Sequence, residues 1–256
     1  AHPTLRADWL ALLASLPKPV SAIHPRTGQR ENFILDTERV LGAVRGPLYA
    51  PSLAAGLPQA ISEAARGRYE PLLGLAEALS RRRSGTLATG MHFSVLCAED
   101  GPQLGRAEPD ETASASRATP ATPFIDQAGQ LYQRACAFWP RGAVPEAFYK
   151  IPPASSAMLL LSGGLDPATP PRHADRAARA LGAKARQVTV ANAGHGLMGM
   201  GCVRDLMFRF VNAADDTAAL AVDASCLTGI PRPPAFEPVT VAPAGPETAV
   251  AGKDGR

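Results

Sequence analysis

The stretch "AMLLLSGGLDPATPP", Ala157 to Pro171, constrains the fold more than any other part of the chain. Met158 to Leu161 form an unbroken apolar run. A strand of a parallel sheet, buried on both faces, has that pattern. Two glycines stop it, and Thr169 then stands as a candidate N-cap with Pro170 and Pro171 in the first helical turn. The helix "RHADRAARALG" ends at Gly182. "ARQVTVA" is a second strand that runs into the loop "GHG", and a last helix is predicted from about 202 to 212. Residues 155–213 therefore spell strand–loop–helix–strand–loop–helix, a βαβα unit of an α/β sheet. Both loops follow strand C-terminal ends, where open α/β sheets carry their chemistry.

Asp166 occupies the first of these loops and His195 the second. Adjacent parallel strands would bring the two side chains within reach of each other. A carboxylate that holds an imidazole in one tautomer makes that ring a better general base. The glycines around His195 allow a sharp turn and leave room for a substrate. Asp followed by His is also the chain order of the α/β-hydrolases, whose serine precedes both on a G-x-S-x-G elbow. This chain contains no G-x-S-x-G. Ser94, Ser155, Ser156 and Ser162 lack the elbow, and Ser162 lies too close to Asp166 to be its nucleophile. The chain is thus expected to supply an acid and a base, and no nucleophile.

The rest of the chain reads as follows. Residues 1–18 form a short helix ended by Pro17 and Pro19. "PVSAIHPRTGQRENFIL" is a small β element that turns at "RTGQ". Three or four short helices occupy 37–83, including "SLAAGLPQAISEAARG" with a Ser at its start and a Gly at its end. "MHFSVLC", Met91 to Cys97, is expected to be a buried strand, with Glu99 and Asp100 at its end. His92 alternates with Phe93 there and reads as structural, while His2, His24 and His173 read as surface or loop residues. Residues 101–123 are a polar loop, and 124–138 are helical. The Pro-, Ala- and Gly-rich stretch 231–256 is expected to be a disordered tail. The organisation expected is a mostly helical cap over 1–123, an α/β part over 124–230, and the tail.

Charge and cysteines narrow the function. The net charge of +3 is small and the arginines are dispersed, apart from Arg81 to Arg83, so no nucleic-acid surface is indicated. No run reaches the ~18 apolar residues of a membrane span. The chain shows no signal peptide and begins at Ala1, so its N-terminus is expected to be processed or cut. Cys97, Cys136, Cys202 and Cys226 are an even set of two spaced pairs, which fits two disulfides and an oxidising compartment. Buried free thiols are the other reading. No pair has the CxxC spacing of a zinc site, and no metal or organic cofactor is indicated.

"FSVLCAED", "CAFWP", "LLLSGGLDPATPP", "AGHG", "GC" and "SCL", spread over about 85–230, resemble the C-terminal portion of secreted tripeptidyl and prolyl aminopeptidase-like proteases. These are serine peptidases of the α/β-hydrolase fold. The resemblance implies a partial α/β-hydrolase, the last strands and helices of the sheet, with a mainly helical cap. It implies that Asp166 and His195 are the triad acid and base. It supports pairing Cys97 with Cys136 and Cys202 with Cys226, and a secreted or periplasmic location. It implies that an N-terminal half carrying the G-x-S-x-G serine is absent from these residues. Acidic residues bind the substrate amine in related prolyl aminopeptidases, which makes Glu99, and beside it Asp100, candidates for that contact. Trp139 is a candidate pocket wall, with packing as its other reading. The expected activity is that of an exopeptidase releasing N-terminal residues or tripeptides. An esterase acting on small esters and a non-catalytic fragment or subunit are the alternatives.

Overall fold

The computed structural model describes residues 2–80, 88–103 and 123–238. Two cores account for most of the burial. The first belongs to the helical part. Helix α1 (Leu5–Ala14) turns Leu5, Trp9, Leu12 and Leu13 onto one face, and Leu12 is fully buried. Strands β1 (Lys18–Ile23) and β2 (Arg30–Leu35) pair antiparallel, with Lys18 opposite Leu35. The His24 N–H donates to the Gln29 carbonyl and closes the turn (2.8 Å). Only one face of this hairpin is buried, through Val20, Ala22 and Leu35.

The Asp36 carboxylate caps helix α2 (Thr37–Leu48) by accepting the Arg39 N–H at 2.9 Å. The expected helix over "SLAAGLPQAISEAARG" is two pieces, α3 (Pro51–Ala54) and α4 (Leu57–Ala65), with Gly56 between them as the N-cap of α4. Helix α5 (Glu70–Ser80) completes this unit. Val40, Leu57, Ala60, Ile61, Ala64 and Leu72 fill its centre.

Met91–Cys97 is not a strand. It lies inside helix α6 (Thr89–Glu99). The apolar and aromatic content suggested extended chain, but the buried side follows helical spacing. Phe93 and Cys97, four apart, turn inward, while Met91 and Val95 are exposed. Helix α7 (Pro123–Phe138) packs beside α6, and Cys97–Cys136 joins the two with a Cα separation of 5.0 Å. That disulfide spans the boundary expected near 123. Phe93 and Trp139 stack with centroids 5.1 Å apart, and His92 Nε2 meets the Tyr132 hydroxyl at 3.2 Å.

The second core surrounds the parallel pair. Strands β3 (Met158–Gly163) and β4 (Ala185–Val190) run in register, Leu161 beside Val188. Helix α8 (Pro171–Leu181) crosses between them and packs on both. Leu159, Leu161 and Val188 instead face Val203 and Leu206 of helix α9 (Val203–Val211), with Val190, Ala193 and Leu227 alongside. Cys202, the N-cap of α9, bonds to Cys226 beyond the short helix α10 (Asp216–Leu220), with Cα atoms 6.3 Å apart. Residues 231–238, the first part of the expected tail, run against the helical unit, where the Phe236 N–H donates to the Ala55 carbonyl (2.8 Å). Positions 239–256, Arg81 to Arg83 and most of the polar loop at 101–123 lie outside the described residues.

Candidate active site

The loops after β3 and β4 are knitted together. The Gly164 N–H donates to the Val190 carbonyl and the Leu165 N–H to the Ala193 carbonyl, both at 2.9 Å. A Cβ on Gly163 would overlap the carbonyl oxygens of Ala193 and Gly194, so only glycine allows this approach. The crossing sets Asp166 against His195. Nδ1 of His195 lies 2.9 Å and 3.1 Å from the two carboxylate oxygens of Asp166.

The Asp166 side chain is 5% exposed, and that of His195 is 46% exposed. Asp166 has further partners. One oxygen accepts the Ala168 N–H (2.8 Å) and the Thr169 N–H (3.0 Å), and the other accepts the Thr169 hydroxyl (2.8 Å). Burial raises the affinity of this carboxyl for a proton. The two backbone N–H groups, the His195 ring and the Thr169 hydroxyl outweigh it and hold the group down at about 2. Asp166 is therefore an anion at neutral pH, and a carboxylate can only accept. The His195 Nδ1 must carry the proton, which makes Nε2 the basic nitrogen of the neutral ring.

The third member of the arrangement comes from the helical unit. The Tyr49 carbonyl, at the end of α2, accepts the His195 N–H at 3.0 Å. A Cβ on Gly194 would overlap that same carbonyl oxygen. The Tyr49 ring meets the imidazole edge-on, with centroids 5.1 Å apart and planes at 76°. The backbone and ring of His195 are thus held from two separate parts of the fold.

Sequence reasoning missed two of these residues. Thr169, expected as the cap of α8, gives its hydroxyl to Asp166, and Pro170 is the N-cap. The spacing D-x-x-T was the available signal, since a turn of that length lets the carboxylate collect nearby N–H groups. Tyr49 had no local signal, because its partner is brought to it only by tertiary packing.

The other expected site residues gather elsewhere. Glu99 ends α6, and Asp100 is its C-cap. The Glu99 carbonyl accepts the Tyr149 hydroxyl (2.8 Å). The Trp139 indole N–H donates to the Ser94 hydroxyl (3.1 Å), and its ring lies on Phe93. These residues form one group around the α6–α7 disulfide, and no described hydrogen bond links them to Asp166 or His195. Ser162 is buried at the end of β3. Among the described residues, no group of three or more His, Cys, Asp or Glu is arranged to hold a metal ion, and no helix is long and apolar enough to cross a membrane.

Residues 122–226 match the family model described as TAP-like protein. That region holds β3, β4, Asp166 and His195, and the match supports a member of the α/β-hydrolase family, and with it a hydrolase. The mixed α/β architecture, helices with small sheets, is consistent with part of that fold. No curated protein and no solved structure matches the chain. The two disulfides are compatible with an extracellular location.

Proposed function

We propose that this chain carries the acid and the base of a serine peptidase, and that the nucleophile belongs to polypeptide outside these residues. The observation that carries the reading is the Asp166–His195 pair on consecutive parallel strand ends, with its tautomer fixed by a buried carboxylate. His195 Nε2 takes the proton of the serine hydroxyl as its oxygen bonds to the carbonyl carbon of the scissile bond. The imidazolium that forms is stabilised by Asp166, and it then gives the proton to the departing amine. In the second half, His195 takes a proton from water as the water attacks the acyl group, and returns it to the serine.

The substrate is a peptide cleaved near its free N-terminus, with the carboxylate of Glu99, aided by Asp100, receiving the α-amine and Trp139 lining the approach. The helices of the N-terminal unit act as the cap that shields the reaction from water. Two disulfides favour a protein made for export.

Fluorophosphonate labelling of the protein in its native source, followed by intact mass, tests the reading. A serine labelled on a longer chain, or on a second chain that co-purifies with this one, is the expected result. No label on anything that contains or binds this chain would make it a non-catalytic fragment. Glu99→Gln is expected to weaken free-amine peptides far more than blocked esters. Equal effects on both would favour the esterase alternative.

A further inference from the structure

His195 also forms one wall of a cleft. The cleft has a volume of about 640 Å³ and lies between Tyr49–Ser52 of the helical unit and the loop that runs from Asn192 to Met200, with Pro231 and Pro233 closing one end. Its size is that of a small-molecule site. Its walls carry no Asp, Glu, Lys or Arg side chain. The polar groups that border it are largely engaged. The Asn192 amide donates to the Ile230 carbonyl (2.8 Å), and the Tyr49 carbonyl accepts from His195 (3.0 Å). Besides the Ser52 hydroxyl and the His195 ring, a guest meets the Tyr49 ring, proline rings and two thioethers, Met198 and Met200. Met198 is 54% exposed, although it is large and apolar. Unbranched, polarisable methionine adapts to apolar guests of different shape.

An ionised group placed here would lose water and meet no Asp, Glu, Lys or Arg side chain, only the Ser52 hydroxyl and the His195 ring, which is costly. An apolar group would cover Met198 and the Tyr49 ring and release water from both. We infer that this cleft is the subsite for an uncharged, apolar side chain of the peptide adjoining the bond that His195 acts on. The inference rests on the proposed peptidase reading. It adds a preference that the anion-bearing group around Glu99 does not supply, and it assigns Tyr49 and Met198 the discrimination between neutral and charged side chains.

The test uses the chain with its five methionines labelled at the methyl carbon. The probe is N-acetyl-leucyl-leucinamide, compared with the dilysyl and diglutamyl counterparts. Saturable shifts of the Met198 and Met200 methyls and of the His195 ring are expected with the neutral probe, and affinity at least about tenfold weaker with either charged probe. Met198→Glu, at an exposed position, should weaken the neutral probe by about tenfold with Met158 and Met207 signals unmoved. Absent shifts at Met198 and Met200, or equal affinity for the three probes, overturns the subsite. The peptidase reading fails differently. If the methyls respond but His195→Ala leaves the labelled serine fully active, the cleft prefers apolar groups but the triad reading, and with it the place of the subsite beside the reacting bond, fails. If activity needs His195 but the methyls do not respond, the triad stands without the subsite.

Discussion

The helical unit and the βαβα unit bury their apolar surface in different ways. In the first, α1, the hairpin and α2 to α5 close around ten buried residues from Leu12 to Leu72. Leu12 of α1, Val20, Ala22 and Leu35 of the hairpin and Val40, Leu57, Ala60, Ile61, Ala64 and Leu72 of the helices meet there, while Leu10, Ile23 and Ile34 stay exposed. In the second, two parallel strands share one crossover helix, and only five residues are buried at the centre. Among the described residues β3 pairs with β4 alone, so its outer edge has no strand partner. Parallel sheets are ordinarily covered and extended on both sides. The site lies at the ends of those two strands, next to a hollow of about 340 Å³ lined by Leu160, Ser162, Asp166, Thr169 and His195. The helical unit has the larger buried core. The sheet unit carries chemistry and relies on the disulfide Cys202–Cys226 and on contact with Tyr49 for support.

The largest expected effect separates chemistry from packing. In the complete enzyme, His195→Ala should cost at least ~10³-fold in turnover, since a triad residue acts as part of a unit. Stability should fall by only about 1–2 kcal/mol, because the ring is half exposed but is one of the donors to the buried Asp166 carboxylate. Near-normal turnover would remove His195 from the mechanism.

Next come the two cores. Leu206→Ala and Leu12→Ala delete side chains that are 0% and 1% exposed. Each should lose about 2–5 kcal/mol, the usual range for such a deletion. The comparison lies in where the damage appears. Hydrogen exchange should rise around β3, β4 and α9 for Leu206→Ala, and around α1 and α4 for Leu12→Ala. The His195 ring signal should move only with the first. If both variants open the same amides, the two cores are one cooperative unit and the contrast drawn above fails.

Much of this was legible in the sequence, and the pattern of what was missed follows from the physics. The apolar run 158–161, the glycine stop and the crossover helix identified the βαβα unit because each signal is local and all agree. Asp166 and His195 followed, since strand ends in that unit are near neighbours. Met91–Cys97 was misread because a short apolar run does not reveal its period, and the helix owes its inward face to α7 and a disulfide. Tyr49 was invisible for a related reason. What holds the His195 backbone is the Tyr49 carbonyl, which any residue type would supply.

That junction can be tested by a pair of glycines one residue apart on either side of His195. At Gly194 a Cβ would overlap the Tyr49 carbonyl, whereas at Gly196 nothing lies within 4 Å. Gly194→Ala should lose about 1–3 kcal/mol by forcing the two units apart. Gly196→Ala should be close to neutral. The His195 N–H should lose protection in the first variant and keep it in the second. Equal behaviour would mean that Tyr49 does not hold the loop.

The smallest effect concerns acid. The Asp166 carboxyl is held at about 2 in the fold, below its ordinary 3.8. A lowered carboxyl stabilises the fold above the ordinary value and loses that contribution as pH falls through the lowered one, so about 2 kcal/mol should disappear between pH 4 and pH 2. Thr169→Val removes one of the donors that lower it and keeps the side-chain volume. The variant should be less stable by about 1 kcal/mol at pH 6, and the gap should narrow as the pH approaches 2, where Asp166 is becoming neutral in both proteins. Urea midpoints across pH 2–6 give the answer. A gap that stayed constant with pH would show that Thr169 supports the loop by packing, and that its hydroxyl does not set the charge that orients His195.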